Sequence, residues 1–542
     1  MKKEFQIGLP IESDTEYFAT AAEYHVYAEN TVMVCDSRYD AMRGNAVEQA
    51  FGVFVLIKNK KNVTIDFCGA TLVMHGKIQP FLIDGCENIT IKNCNVTYDR
   101  PMYTEALITE VTPSYARLKL NERCTCRVEG DHLIPYGTDW ENRRLNYRGV
   151  FFQMFDPVTR KGCGITLGAI GTPFIKDETF PYEIDHFTAA ADGDTVLLKG
   201  KMREEYQVGR LLVIEHEGRT FSNLFAIDTK DLTLENYRIL SGEGMGLLLY
   251  RVENVLLDRF LLTHDEKSPC IIANGADAVH SFGTSGEFVI RNSVFEGMID
   301  DAINIHSNFR LVDRVCENVI YTKRGSAEKQ AQRLYRVGDE IAIYRGQTME
   351  ETAKYTIKEI EIIDGELAKF TVDRPVGAHE CGDMIESLSA NCDVTIENCV
   401  FGKANSHLRL QSRGKFVIRN CETELPFLLT GDATYWFESG PITDLTVENC
   451  HFIGERARIS IASEVATTAA APYYHKNVKI LNNVFESGVP LEARDADGIV
   501  FRDNVNAKGL PMTLSLTNCG DADVDGCAVE RIVQKDRLIG LN

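Results

Sequence analysis

The sequence predicts an all-β protein: a right-handed parallel β-helix with two antiparallel β-barrel or sandwich modules inserted into it. Three observations carry this prediction. A short phrase recurs along the chain, its apolar residues alternate with a period of two, and two long stretches lack it and show hairpin signals instead.

The phrase reads apolar, x, apolar, x, Asn, Cys or a small residue, x, apolar. It occurs as NITIKNCNV (88–96), DLTLENYRI (231–239), FVIRNSVF (288–295), DVTIENCVF (393–401), FVIRNC (416–421), DLTVENCHF (444–452) and NVKILNNVF (477–485), with weaker copies NVTIDFCGATLV (62–73) and GIVFRDNVN (498–506). A period of two means strands with one apolar face, which excludes helical repeats of period 3.6. The asparagine falls where the strand has to bend, because Asn tolerates left-handed backbone angles, and stacked amides can bond from copy to copy. Asn93, Asn398, Asn420 and Asn449 are accordingly expected to be bend residues. Copies spaced by roughly 20–30 residues suit coils of short parallel strands, whereas a propeller needs longer antiparallel units.

The organisation that follows is an N-terminal cap and first coils over 1–101, an inserted β module over 102–228, central coils over 229–309, a second inserted module over 310–388, and C-terminal coils over 389–542. Inside the inserts, ALITEVTP, ARLKL, DTVLLKG and RLLVIEHE alternate, and ADGD (191–194) and VGDE (337–340) supply tight turns. The polar stretch Lys329–Gln332 reads as a connection inside the second module.

Of 542 residues 44% are apolar and 25% charged, the ordinary globular range. The net charge of −21 repels nucleic acid and anionic membrane surfaces and favours a neutral or cationic ligand. No stretch approaches the roughly 20 apolar residues of a membrane span, and MKKEFQIGLPIESDTEY has no apolar core of a signal peptide. The chain thus reads as soluble and cytoplasmic, as would one from which a secretion signal had been removed. Sixteen cysteines lack zinc spacing, Cys124 and Cys126 being too close together, and are expected to be reduced and mostly buried.

One stretch carries chemistry: MIDDAINIHSNF (298–309). On a strand Ile303 and Ile305 face the core, so Asn304 and His306 face outward, with Asp300 and Asp301 at the bend before them. One coil earlier, Asp277 and His280 occupy matching positions; one coil later, Leu408 and Leu410 fit inward, leaving His407, Arg409 and Gln411 outward. ATYWFESGP (433–441) reads as the next coil, with Tyr435 and Phe437 inward and Trp436 and Glu438 outward. Coils stack about 4.8 Å apart, so these residues would line one groove of acids, amides, an Arg and a Trp, a set that grips and cleaves sugars. Each has a plainer alternative. Paired aspartates usually mark a solvated turn, single histidines are usually structural, and Trp436 could be core. A metal site in Asp277, His280, Asp300, Asp301 and His306 is disfavoured, because the ligands are too mixed for a calcium cage and lack zinc spacing.

ATLVMHG, NVTYDRPMYTEALITEV, DAVHSFGTSGEFVIRNSVFEGMIDDAINIH and WFESGPITDLTVENCHF, in that order and across most of the chain, resemble glycoside hydrolase family 110. The resemblance implies inverting α-1,3-galactosidases on a β-helix with inserted barrels, acting as homodimers; acid–base hydrolysis by two carboxyls needs no cofactor. It implicates the aspartate pair, here Asp300 and Asp301, in catalysis. The sequence departs from the family at Asn405-Ser406-His407-Leu408-Arg409-Leu410, where Ser406 and Leu408 stand in place of arginines.

The expected function is therefore an exo-acting, inverting glycoside hydrolase that removes a terminal α-linked galactoside or related hexoside from an oligosaccharide. Asp300 and Asp301 are its candidate acid and base, with Glu438 as alternate partner. Asp277, His280, Asn304, His306, His407, Arg409 and Trp436 would bind the sugar. Two rivals remain: a β-helix polysaccharide lyase, which would need a basic residue as base and usually Ca²⁺, and a non-catalytic glycan-binding β-helix.

Overall fold

The computed structural model describes the chain except residues 37, 40–49, 147–149, 176–182, 217–218, 326–333, 365–366, 466–472 and 536–542. Lys329–Gln332 lies outside the described residues. The described residues form a parallel β-helix of short strands, with one 3-10 turn (Ala28–Asn30) and no α-helix.

Most copies of the phrase are two strands joined at the asparagine, while in NITIKNCNV and DLTLENYRI the asparagine bends one continuous strand, Glu87–Tyr98 and Lys230–Ile239. FVIRNSVF forms Ser285–Arg291 and Val294–Glu296, and Asn292 between them has φ of 54°. Asn93, Asn236, Asn398, Asn420, Asn449 and Asn482 repeat this bend with φ of 49–54°. An ordinary residue resists that conformation because its Cβ crowds the following carbonyl; Asn offsets the cost through its side-chain amide. The amides bond from coil to coil: Asn236 Nδ2 donates to Asn93 Oδ1 (3.0 Å) and Asn398 Nδ2 to Asn292 Oδ1 (3.2 Å).

A third strand completes each coil. Leu224–Ile227, Leu247–Tyr250, Val279–Phe282, the start of Ile303–Cys316, Leu408–Gln411, Phe427–Asp432 and Ile459–Glu464 pair in parallel, each with the next. Inward residues from all three walls fill the helix, and aromatic rings stack along it. Phe295 lies 5.6 Å from Phe260 and 5.0 Å from Phe401, centroid to centroid. None of the sixteen cysteines is in a disulfide, and Cys399, Cys421 and Cys450 are buried at successive bends.

The helix closes over both insertions without a gap. Leu224–Ile227, which follows the first, pairs with Ile78–Asp84, which precedes it. Leu408–Gln411 likewise pairs with Ile303–His306 across the second. The first insert is a closed barrel of Tyr103–Thr112, Tyr115–Leu120, Thr195–Lys199, Asp185–Asp192, Gly162–Ile170, Val150–Phe155 and Leu211–Glu215, in that order around the ring. It has its own core, including Ile108, Leu118, Phe152, Met154, Phe187 and Ile214. The second is a ring of antiparallel pairs. The later half of Ile303–Cys316 joins Val319–Arg324, then Leu367–Val372, Glu351–Ile362, Glu340–Tyr344 and Met384–Ser387, which returns to the first strand.

The structure corrects one reading. Residues 433–441 are not the next coil, because Phe427–Asp432 takes that place in the wall. The chain instead leaves the wall at Asp432, and Glu438–Ser439 comes back antiparallel onto Ser307–Asn308. Tyr435 and Phe437 are part-exposed on this arm rather than inside the helix. Asp432 makes the departure: its carboxylate accepts the backbone N–H of Thr434 (2.6 Å), Tyr435 (3.1 Å) and Trp436 (2.6 Å). Phe437 then turns the arm with φ of 57°, and Gly440 crosses the Gln411 strand where a Cβ would stand 2.4 Å from the Gln411 carbonyl oxygen.

Candidate active site

The third wall brings the outward residues of three coils into register. His280 lies beside Asn304 and Asn304 beside Arg409, while Phe282 lies beside His306 and His306 beside Gln411. Ile303, Ile305, Leu408 and Leu410 are in the helix core, as the alternation requires. Asn304 and His306 do face away from that core, yet they are 5% and 1% exposed. The first barrel packs on the adjoining loops at Ile272 and Ile299, and the arm pairs with Ser307–Asn308, so the strip is a covered floor rather than an open groove. Asp277, Asp301, Gln411 and Glu438 are also buried. Asp300, His407 and Arg409 keep part of their side chains open, and Trp436 stands at the exposed end of the arm with its ring 4.7 Å from that of Tyr435.

One hydrogen-bonded chain runs along the floor. His306 Nδ1 lies 2.8 Å from the Ser307 carbonyl oxygen, His306 Nε2 lies 3.1 Å from His280 Nε2, and His280 Nδ1 lies 2.7 Å from Asp277 Oδ2. The carbonyl only accepts, so His306 carries its proton on Nδ1 and its Nε2 accepts from His280 Nε2–H. His280 Nδ1 and the Asp277 carboxyl share the next hydrogen bond. Burial, reinforced by the charge of Asp300, pushes the Asp277 carboxyl up to about 6, although His280 pulls it down.

Asp300 is driven the other way. Burial alone would raise it, but the Arg219 guanidinium bonds its Oδ2 and holds it below the ordinary carboxylate range. Arg219 also lies 3.4 Å from Glu215 and 4.0 Å from Asp277. Asp301 faces His407 Nε2 at 2.8 Å and Arg409 Nε at 3.6 Å. Burial opposes the His407 cation, but Asp301 outweighs it and the imidazole is raised above its usual value. Glu438 accepts from Gln411 Nε2 (3.0 Å) and shares Arg409 with Asp301, Nη1 to Oε2 being 3.9 Å.

The floor also keeps unused polar atoms. Asn304 Oδ1, Gln411 Oε1 and both polar atoms of Asn308 are buried with no hydrogen-bond partner among the described residues. Buried amides are costly without partners, and here they sit beside the acids, as a site built for hydroxyl groups requires. No group of three or more His, Cys, Asp or Glu among the described residues could hold a metal ion.

These contacts join Asp277, His280, Asp300, Asp301, Asn304, His306, His407, Arg409 and Glu438, while Trp436 stands apart on the exposed arm. Arg219, Glu215 and Asp432 escaped sequence reasoning. Asp432 begins Asp-Ala-Thr, a legible turn signal; Arg219 lies in the junction after the first barrel, where no repeat announces it.

No family model matches the chain. Among curated proteins it is similar to α-1,3-galactosidase B of Bacteroides thetaiotaomicron, at 26% identity over 88% of this chain and 80% of that one. It is similar also to α-1,3-galactosidase A of Bacteroides fragilis, at 24% identity over 94% of this chain and 84% of that one. The relationship to the glycoside hydrolase family 110 enzymes thus extends over most of the chain. Among solved structures, a surface adhesin of Streptococcus pneumoniae aligns with 97% of this chain and 85% of its own at 8% identity, with a TM-score of 0.34. No helix among the described residues is long and apolar enough to cross a membrane.

Proposed function

We propose that this protein is a glycoside hydrolase that removes α-linked galactose, or a closely related hexose, from the end of an oligosaccharide with inversion. The observation that carries this reading is the pair of opposed carboxyls on one floor. Asp277 is a buried acid pushed up to about 6, and Asp300 is kept ionised by Arg219. An inverting hydrolase needs one carboxylic acid to protonate the leaving oxygen and one carboxylate to activate water on the other face of the ring, about 6.5–9.5 Å apart.

We assign Asp277 as the acid, which departs from its expected role in sugar binding. Asp300 and Asp301, expected as acid and base, are both assigned to the base side. Asp301, fixed between His407 and Arg409, either takes the water proton or orients the water for Asp300. Glu438, locked by Gln411 and sharing Arg409, serves binding rather than proton transfer. The unpartnered amide oxygens of Asn304 and Gln411 and the amide of Asn308 take sugar hydroxyls, and Trp436 covers the leaving group at the rim. The α-1,3-galactosidase names of the relatives support galactose as the sugar.

The test is a panel of nitrophenyl glycosides, α-galactoside first, with NMR of the sugar as it is released. The expected result is hydrolysis of the α-galactoside giving the β-anomer. Release of the α-anomer would defeat the inverting assignment, and binding without turnover would favour a glycan-binding β-helix.

A further inference from the structure

We propose that the first barrel is a clamp on the candidate active site, with Glu105 and Gln153 as positioning residues for Asp277, Asp300 and Asp301. The inference rests on the glycosidase reading for its kinetic test and on geometry for its substance.

Three adjacent barrel strands share one outward face. Register places Glu105 and Gln153 both beside Val213, Tyr103 beside Glu215 and Phe155 beside Leu211. The alternate residues, Ala106, Phe152, Met154, Leu212 and Ile214, fill the barrel. The outward set packs instead on the coils, where Tyr103, Phe155, Leu211 and Val213 form a separate apolar cluster with Ile272 and Ile299. Those two isoleucines belong to the loops that deliver the acids. Ile272 shortly precedes Asp277, and Ile299 adjoins Asp300.

The polar members of the same face bond those loops. Glu105 Oε1 accepts the backbone N–H of Ile271 (3.0 Å) and of Ile272 (2.9 Å), and Tyr103 Oη donates to the Ile272 carbonyl. Gln153 Nε2 donates to the carbonyl of Ile299. Its Oε1 lies 3.5 Å from Nδ2 of Asn405, on the coil that carries His407 and Arg409, and that Nδ2 also donates to the carbonyl of the barrel's Met154 (3.3 Å). One barrel wall therefore touches three successive coils just before each enters the site. The coils also bond one another here, through Ala273 N–H to the Gly297 carbonyl (2.7 Å) and Ala278 N–H to the Asp301 carbonyl (2.8 Å), but between Leu261–Leu262 and Val279–Phe282 the regular strand pairing shrinks to the bridge of Asn274 to Met298, and the barrel contacts add to it. The same wall ends in Glu215, which holds Arg219 against Asp300.

A wall that sets the distance and mutual charge of Asp277 and Asp300 acts on kcat and its pH profile rather than on substrate affinity. The test compares Gln153→Leu and Glu105→Leu, each of which removes the polar contact, with the parent chain. Expected are a 10- to 100-fold fall in kcat on the nitrophenyl α-galactoside, KM within threefold, and a displaced pH profile. Amide exchange at 271–277 and 299–302 should quicken at least tenfold while the coil strands stay protected. Gln153→Glu, which keeps the acceptor but not the donor to Ile299, should fall like Gln153→Leu. A lowered melting temperature with parental kcat and pH profile per folded molecule would overturn the clamp, as would unchanged exchange in these loops. Exchange needs no turnover, so a parent chain inactive on every glycoside would defeat the glycosidase reading while exchange still decides the clamp.

Discussion

Asp277 and Asp300 are chemically identical side chains on one floor, and their neighbours separate them. Asp277 has an imidazole and a like charge for company, whereas Asp300 has a guanidinium. The separation predicts a bell-shaped kcat/KM. Activity should fall on the alkaline side near pH 6, as Asp277 loses its proton. On the acid side it should fall below the ordinary aspartate range, where Asp300 gains one. Removing the cation with Arg219→Met should move the acid limb upward by about a unit or more, read from the same profile. Asp300→Asn and Asp301→Asn should each cost roughly 10²–10⁴ in kcat with the far-ultraviolet spectrum unchanged. Asp277→Asn should cost far more on a disaccharide than on the nitrophenyl glycoside, whose leaving group departs without protonation; equal losses on both would remove Asp277 as the acid.

At the scale of the element, the bend rather than the strand sets the coil. Asn420 sits at φ of 54°. Asn420→Ala should therefore destabilise by about 1–2 kcal/mol, and Asn420→Gly by less, measured by chemical denaturation of the two variants side by side. This part of the fold was legible in the sequence, because period two and a bend residue are local signals. They place Ile303 and Ile305 in the core and His280 beside Asn304, as the pairing of Val279–Phe282 with Ile303–His306 confirms. The arm was not legible. TYWFES alternates as a strand would, but a carboxylate at Asp432 captures its backbone, and its partner, Ser307–Asn308, lies far away in sequence. Arg219 was hidden for the same reason: its importance comes from a tertiary contact with Asp300 that no repeat encodes.

At the scale of the molecule, the barrels and the helix are joined through buried polar groups, so folding is linked to pH. Burial pushes the Glu105 carboxyl up to about 8. The unfolded chain releases this proton near the ordinary glutamate value, about 4.3. Between these two values the folded state holds the extra proton, so its stability falls as pH rises. Thermal unfolding at pH 5 and pH 8 should show the parent chain losing stability across this window, and Glu105→Gln losing distinctly less. The covering of the floor could not be read from a strip of outward residues, because it comes from an insertion and an arm. The sequence reading gave the floor; burial of Asn304 and His306 is the contribution of everything that surrounds it.

The strand Ile303–Cys316 begins in the helix wall, beside Leu408–Gln411, and ends in the second barrel, beside Val319–Arg324. It has no joint. A swing of that barrel, as in enzymes that shut two lobes on a substrate, would have to break ladder bonds on both sides of Ser307. The 433–437 arm is tied at its ends, by Ala433 N–H to the Glu464 carbonyl (2.8 Å) and by Phe309 N–H to the Phe437 carbonyl (2.8 Å), and its turn is gathered by the Asp432 carboxylate. Any movement that admits a sugar is therefore confined to the tip of this arm, with the scaffold acting as a fixed frame.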